Sequence, residues 1–499
     1  MERKTQRIDD SLTEEELLAI EARRRRRRRA NREMNIIVIF FSSALALMLI
    51  FMSYYVYARA PKEITSSYNP RQKNLEQRVI RGKIFASDGE VLAEQAMDGD
   101  KEVRYYPEHE LYAHAVGFST HGVQGMERLA NISLLTSNAP VKERLEKEME
   151  GARNYGDYVY TTFEPSLQKA AYDALGVYKG AVAVMEVRTG KILAMVSKPD
   201  FDPNDIDVHW DRISADTVNS PLVNRVTQGL YPPGSTFKIA TLLEYIRENP
   251  ETYEDYYFNC KGSFTYGDSS VSCFHGNVHG KVGIHKSFEK SCNSSFANIC
   301  TLLDLKKMGR NVKKLLFNEE LPVDYTHKDS QYVLSESPTD EELLQTSIGQ
   351  GKTLITPMHL LLITAAIAND GVLMTPYEIE RITNYRGDDV QVFSPKAYGM
   401  LMSAEEAGIM KNFMTGVVEN GGTGRALAGL SYSAAGKTGS AEYGNVKGNS
   451  HAWFTGFSNV ESPDIAVTVI VEGAGSGGEY AVPIAKRIFD VYYSKGLPQ

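Results

Sequence analysis

Cysteine is scarce in this chain, four in 499 residues, and the four form neither a C-x-x-C pair nor a zinc-ligand spacing. Internal repeats are missing, as is any low-complexity segment beyond one arginine run, so a repeat architecture is excluded. Positive charge is missing from the bulk of the chain. The formal net charge is −8, yet residues 1–60 hold twelve Lys/Arg against eight Asp/Glu, which leaves the other 439 residues near −12. A nucleic-acid binder needs a basic globular part, so that class is excluded. What remains, 42% hydrophobic and 24% charged residues, is ordinary for a globular protein of one to three domains with a large core.

Charge of either sign is also absent from residues 36–57, IIVIFFSSALALMLIFMSYYVY. Twenty-two residues form a helix of about 33 Å, enough to span a bilayer. Tyr54, Tyr55 and Tyr57 stand at one end, where an interfacial aromatic belt belongs. Seven arginines, Arg23 to Arg29, and Arg32 precede the other end. The positive-inside rule predicts a single-pass protein of the cell membrane, with residues 1–35 a basic cytoplasmic tail and the rest extracytoplasmic. A nuclear or nucleic-acid arm is the competing reading of the arginines, and the spanning segment beside them argues against it. Ala58-Arg59-Ala60 mimics a signal cleavage site, but the apolar stretch is too long for a signal core and Pro61 follows the cut. An uncleaved anchor is expected.

Residues 58–77 read as a polar linker and 78–158 as a small separate domain opening on a hairpin, with Ser87-Asp88-Gly89 as its turn. From 159 to 499 the pattern is that of a large mixed α+β domain. GAVAVMEV and KILAMVSKP are apolar runs joined by Arg188-Thr189-Gly190, and residues 451–460 and 464–473 read as further strands. Residues 360–369 are apolar all round and predict a buried helix; an amphipathic helix is expected at about 481–494. Strands at both ends of the domain and helices in the middle predict a central antiparallel sheet flanked by helices.

Three short patterns carry chemistry. Ser235-Thr236-Phe237-Lys238 follows Pro232-Pro233-Gly234. Alone it reads as a helix start. The i, i+3 spacing also lets the Lys238 amine reach the Ser235 hydroxyl, and a desolvated lysine can deprotonate a serine. The dipole at a helix N-terminus would favour the developing alkoxide. Ser291-Cys292-Asn293 is an S-x-N, and Lys437-Thr438-Gly439-Ser440 a K-T-G followed by a hydroxyl residue, expected on an edge strand. Each is weak alone. In this order they are the signature of the penicillin-recognising serine enzymes.

With these motifs the chain resembles the class B penicillin-binding proteins, peptidoglycan D,D-transpeptidases. The likeness runs from about 78 to 494 and includes residues 222–239, AMVSKPDFDPN, TTFEPSLQ, IGQG with Thr356-Pro357, and GGTGRA. Arg81-Gly82-Lys83-Ile84 and Gly125-Met126-Glu127 resemble the family's membrane-proximal pedestal, although Ala86-Ser87-Asp88 stand where the family often has Asp-Arg. The resemblance implies the penicillin-binding, β-lactamase-like transpeptidase fold. It implies an acyl-enzyme on Ser235 formed from a D-Ala-D-Ala stem peptide with release of the terminal D-Ala, and inhibition by β-lactams. It implies Lys238 as base, Ser291 as proton relay held by Lys238 and Lys437, and Asn293 as orienter of Lys238 and of the substrate amide. Lys437, Thr438 and Ser440 would hold the terminal carboxylate, Gly439 would allow close approach, and the Ser235 and Ser440 N–H groups would form an oxyanion hole. No cofactor or metal is implied. About 80 residues before the large domain leave no room for a glycosyltransferase, so a separate polytopic SEDS-type partner is expected.

Other residues carry blander expectations. Cys260 and Cys273 permit a bridge or remain buried thiols; Cys292 and Cys300 lie about 12 Å apart on a helix and cannot pair. His275, His279 and His285 with Cys273 lack a compact ligand pattern, and loop hydrogen bonding is expected of them. Trp453 is expected in the core or cleft wall, and Tyr443 beside the groove. The alternatives are a D,D-carboxypeptidase or β-lactamase of the same fold, and a non-catalytic scaffold. Neither Glu319 nor Glu320 has the Asn four residues on that a class A β-lactamase would show.

Overall fold

The computed structural model describes residues 13–56, 76–443 and 449–494. Tyr57, the Ala58-Arg59-Ala60 site, Pro61 and nearly all of the 58–77 linker lie outside the described residues. The chain divides into two compact units, Met1–Asn69 and Pro70–Gln499.

In the first unit one helix runs through Glu14–Tyr54. It contains the arginine run as well as the apolar stretch, so the tail that could have been irregular is helical from Glu14 onward. Three glutamates in the first turn, Glu14 to Glu16, complement the dipole, and the Thr13 N–H donates to Glu16 Oε2 (3.0 Å). At 41 residues it is about 60 Å long, twice a bilayer core. It is long and apolar enough to cross a membrane.

The second unit is built on a five-stranded antiparallel sheet. Its spatial order is Ala434–Glu442, Ser450–Ser458, Ile465–Val471, Gly180–Glu186, Ile192–Lys198. Both faces are covered, which is why the strands read as unbroken apolar runs instead of alternating with polar residues. Ala181, Ala183 and Met185 face a core shared with the helix Pro357–Ala368. Val182 and Val184 face the opposite core, shared with the helices Pro165–Leu175 and Gly477–Ser494. Every residue of Pro357–Ala368 is buried, as its composition predicts. Its start is set by Thr356, whose hydroxyl accepts from the His359 N–H (3.2 Å), and by Pro357 at the first helical position.

The hairpin predicted near residue 86 is present, pairing Ile84–Phe85 with Val91–Asp98. Val79–Ile80 is not part of it and pairs in parallel with Asn154–Tyr155. The hairpin belongs to a six-stranded sheet that Ile379–Thr383 and Asp389–Val392 complete from far along the chain. Arg81 and Glu127, singled out from two separate motifs, meet here. Glu127 is fully buried and accepts from Arg81 Nε and Arg104 Nε, both at 2.6 Å. Burial acts to raise its carboxyl, but the two guanidinium charges outweigh that and hold it below the ordinary value. Glu127→Ala leaves both arginines buried and uncompensated, and the expected cost is about 3–5 kcal/mol. Pulse proteolysis in urea checks this; an unchanged midpoint would refute it.

Candidate active site

Ser235 does not cap the α-helix. It lies inside a single 3₁₀ turn, Gly234–Phe237, and the α-helix begins at Lys238 and runs to Glu248. In a 3₁₀ turn side chains three apart eclipse, which suits this pair better than α-helical stagger. Lys238 Nζ donates to Ser235 Oγ at 3.1 Å. Gly234 sets the approach: its φ is +54°, and a Cβ there would lie 2.8 Å from the Ser440 carbonyl oxygen. Trp453 is fully buried, a core residue, and its indole N–H holds the preceding turn by donating to Pro232 O (3.1 Å).

Ser291 stands at the joint of two helices. After Ile284–Glu289 the Ser291 N–H donates to Phe288 O (3.1 Å) and the Cys292 N–H to Ser287 O (2.8 Å). This is a Schellman closure, whose left-handed position glycine ordinarily fills. Ser291 fills it with φ +53°, at a cost of about 1–2 kcal/mol. Cys292 then caps the helix Asn293–Leu302, its Sγ accepting from the Ser295 N–H at 3.4 Å. The turn presents the Ser291 hydroxyl to two neighbouring amines.

That hydroxyl lies between two lysines. Lys437 Nζ donates to Ser291 Oγ at 2.9 Å, and Lys238 Nζ lies 3.3 Å from the same atom. Lys238 also donates to Asn293 Oδ1 (2.7 Å) and Ser291 O (2.8 Å), while Asn293 Nδ2 donates to Ser272 O (2.9 Å). Both amines are fully buried, with Phe296 and Phe288 rings nearby. Burial pushes Lys238 down to about 7, against a smaller opposing influence from Cys292 and Cys273. Burial, and then the Lys238 charge, hold Lys437 well below the ordinary lysine value. Near neutrality Lys238 is therefore able to accept a proton.

The K-T-G motif lies on the edge strand Ala434–Glu442, as expected. Its side chains alternate. Lys437 and Gly439 face the Ser235 turn: a Cβ on Gly439 would lie 3.1 Å from Pro233 O and from Thr236 Cγ2. Thr438 and Ser440 point the other way, Thr438 Oγ1 to Thr423 Oγ1 (2.6 Å) and Ser440 Oγ to the Gly477 N–H (3.4 Å). The absence of a side chain at Gly439 lets the strand lie close against the Ser235 turn. Thr423 and Gln350 were not among the predicted site residues, although GGTGRA and IGQG contain them. With its amide oriented to satisfy both atoms, Gln350 donates to Glu442 O (3.1 Å) and accepts from the Glu442 N–H (2.8 Å). The IGQG loop also accepts the Gly234 N–H through Gly349 O (2.9 Å). Tyr443 stacks on His451 at 4.1 Å beside the end of this strand.

A serine in contact with a buried lysine three residues on, with a second serine bridging to a second buried lysine, is the constellation of a serine acyltransferase of the S-x-x-K type. The family model for the penicillin binding protein transpeptidase domain matches residues 180–490, and that for the penicillin binding protein A dimerisation domain matches residues 81–159. The chain belongs to the penicillin-binding protein transpeptidase family, in its class B. The peptidoglycan D,D-transpeptidase PbpA of Mycolicibacterium smegmatis is 31% identical over 441 residues, 81% of this chain and 87% of the relative. The D,D-transpeptidase domain from Eggerthella lenta has a TM-score of 0.74 at 29% identity, over 84% of this chain and all of that one. Penicillin-binding protein A from M. tuberculosis, solved as a ceftriaxone acyl-enzyme, has a TM-score of 0.76 at 28% identity, over 84% and 99%.

Proposed function

We propose that this chain is a peptidoglycan D,D-transpeptidase that works through an acyl-enzyme on Ser235. The observation that carries the reading is the continuous run Ser235–Lys238–Ser291–Lys437, with contacts of 3.1, 3.3 and 2.9 Å. Neutral Lys238 takes the Ser235 proton as Oγ attacks the carbonyl of the penultimate D-Ala. The oxyanion faces the Ser235 and Ser440 N–H groups, an arrangement that is the largest single contribution in many acyl transfers. Ser291 gives its proton to the departing D-Ala amine and is reprotonated through Lys238. Asn293 keeps Lys238 aimed. The substrate's terminal carboxylate brings beside Lys437 the negative charge its burial otherwise lacks, with Thr438, Gly439 and Ser440 along its path. The amine of a second stem peptide then attacks the ester, forming the cross-link and returning a proton to Ser235. A β-lactam enters by the same first step and stays as the Ser235 ester.

The same reading divides the chain into a 1–35 cytoplasmic tail, a 36–57 span, a 58–77 linker, a 78–158 pedestal and a 159–499 transpeptidase domain. The arginines on the N-terminal side of the span support a cytoplasmic N-terminus and an extracytoplasmic catalytic domain. A polytopic SEDS-type glycosyltransferase is the proposed partner, held through the span and pedestal; failure to co-purify from membranes counts against it.

The hydrolase readings differ in the second half-reaction. A fluorescent-penicillin adduct is expected to persist for many minutes, and a stem-peptide substrate to give a cross-linked dimer with release of D-Ala. Rapid loss of the adduct, or D-Ala release without dimer, would favour the β-lactamase or carboxypeptidase reading.

A further inference from the structure

None of the four cysteines is in a disulfide, and all four are buried. Three of them converge with a histidine. Cys260, Cys273, His279 and Cys292 each place one ligand atom within 4.8 Å of all the others. The Sγ atoms of Cys260 and Cys273 are 3.7 Å apart, as are those of Cys273 and Cys292, and Cys260 Sγ lies 3.5 Å from His279 Nδ1. A disulfide would bring two sulfurs to about 2.0 Å. A tetrahedral zinc with Zn–S bonds of about 2.3 Å and a Zn–N bond of about 2.0 Å separates its ligands by about 3.8 Å between sulfurs and about 3.5 Å between sulfur and nitrogen. Those three distances match the edges of that tetrahedron, and the remaining ligand pairs lie within 4.8 Å.

We propose that Cys260, Cys273, His279 and Cys292 form a structural zinc site that braces the Ser291–Asn293 joint. The four ligands come from four pieces of backbone: the end of the strand Tyr257–Cys260, the residue after the hairpin Ser263–Ser272, the residue before the strand Gly280–Gly283, and the first cap of Asn293–Leu302. Three thiolates and a neutral imidazole leave no open position, the closed set of a structural site and not a catalytic one. Thiolate and imidazole ligands in a tetrahedron select zinc over the oxygen-seeking cations.

Groups around the sulfurs support them. The Gly262 N–H donates to Cys260 Sγ and the Ser295 N–H to Cys292 Sγ, both at 3.4 Å, and Ser294 Oγ lies 3.2 Å from Cys273 Sγ. Such outer contacts aim ligands and stabilise their charge. His275 and His285 take no part: His275 packs on Phe274 and His285 stacks on Phe413. The loose histidine cluster expected from the sequence thus resolves into one ligand and two bystanders, and zinc spacing is met by C-x₁₂-C-x₅-H-x₁₂-C, a pattern too open to be recognised along the chain.

The consequence lies one bond away. Cys292 sits between Ser291 and Asn293, and Asn293 is tied to Ser272 O, the neighbour of Cys273. The metal would hold both sides of the strained Ser291 position, so zinc is here a positioning element for the two residues that contact Lys238.

Full-length protein purified in detergent without chelator is expected to contain about one zinc per chain. Cobalt(II) exchanged into it should give thiolate-to-cobalt charge transfer and the visible bands of a tetrahedral ion. Cys273→Ser and His279→Ala should lose the metal. Ser294→Ala should keep the fold and weaken zinc binding about tenfold. Stripping zinc from the wild type should lower its melting temperature and slow penicillin acylation at least about tenfold, with zinc restoring both. The proposal is overturned if wild-type protein neither retains zinc nor takes up cobalt with that spectrum. It is equally overturned if protein from membranes carries a Cys260–Cys273 disulfide. Metal content and the cobalt spectrum do not depend on Ser235 acting as a nucleophile, so failure of the catalytic reading leaves this test intact.

Discussion

Ser235→Ala is expected to abolish covalent labelling by a fluorescent penicillin, with acylation falling on the order of 10⁶-fold, as when a serine nucleophile is deleted from a hydrolase. Ser235 is partly exposed, and the one from the Lys238 amine at 3.1 Å is the only side-chain hydrogen bond its hydroxyl makes among the described residues. Its loss should therefore leave stability within about 0.5 kcal/mol of wild type. Intact-mass spectrometry after incubation with penicillin is the direct measurement. A persistent adduct on the alanine variant would place the nucleophile elsewhere. An unlabelled variant with a normal melting curve removes misfolding as the cause.

The second large effect concerns Lys238. Burial brings its amine from the ordinary lysine range down to about 7, so the neutral form, the one able to take a proton, predominates above that pH and is lost below it. The acylation rate is therefore expected to rise with pH, by about tenfold per unit below 7, and to level off above it. Lys238→Ala should slow acylation by about 10²–10⁴-fold and flatten this limb. Stopped-flow acylation with a chromogenic cephalosporin between pH 5 and 9 reads both. A profile that stays flat in the wild type, or one whose limb survives in Lys238→Ala, would assign the base to another group. The neighbouring Lys437 sharpens the point. Two ammonium groups 2.9 and 3.3 Å from one hydroxyl oppose each other's charge, which favours one neutral lysine at a time in the free enzyme.

Much of the site was legible because it rests on local grammar. Pro-Pro-Gly before Ser235 announced a turn, the three-residue step to Lys238 announced a shared face, and the K-T-G segment preceded two apolar runs that had to be strands. The buried helix Pro357–Ala368 and the doubly covered sheet strands followed from composition alone, since an element apolar all round has nowhere else to go. Other features were written in the sequence but mute. Nothing in Ser-Cys-Asn announces a left-handed serine, because glycine is the residue that ordinarily signals such a closure. In sequence the 3₁₀ turn at Gly234–Phe237 is indistinguishable from the start of the α-helix that follows, since the two share their local preferences.

The sequence by itself determined the order and chemistry of the three motifs, the length and polarity of the N-terminal helix, and the apolar runs that make the central sheet. These depend on neighbours within a turn or two, where side-chain type and spacing suffice. The tertiary structure alone decided that Arg81 and Arg104 share Glu127, that residues 379–392 complete the N-terminal sheet, and that three cysteines and one histidine meet behind Ser291. Those depend on which distant segments are brought together, and loop closure across tens of residues leaves no period along the chain to betray it.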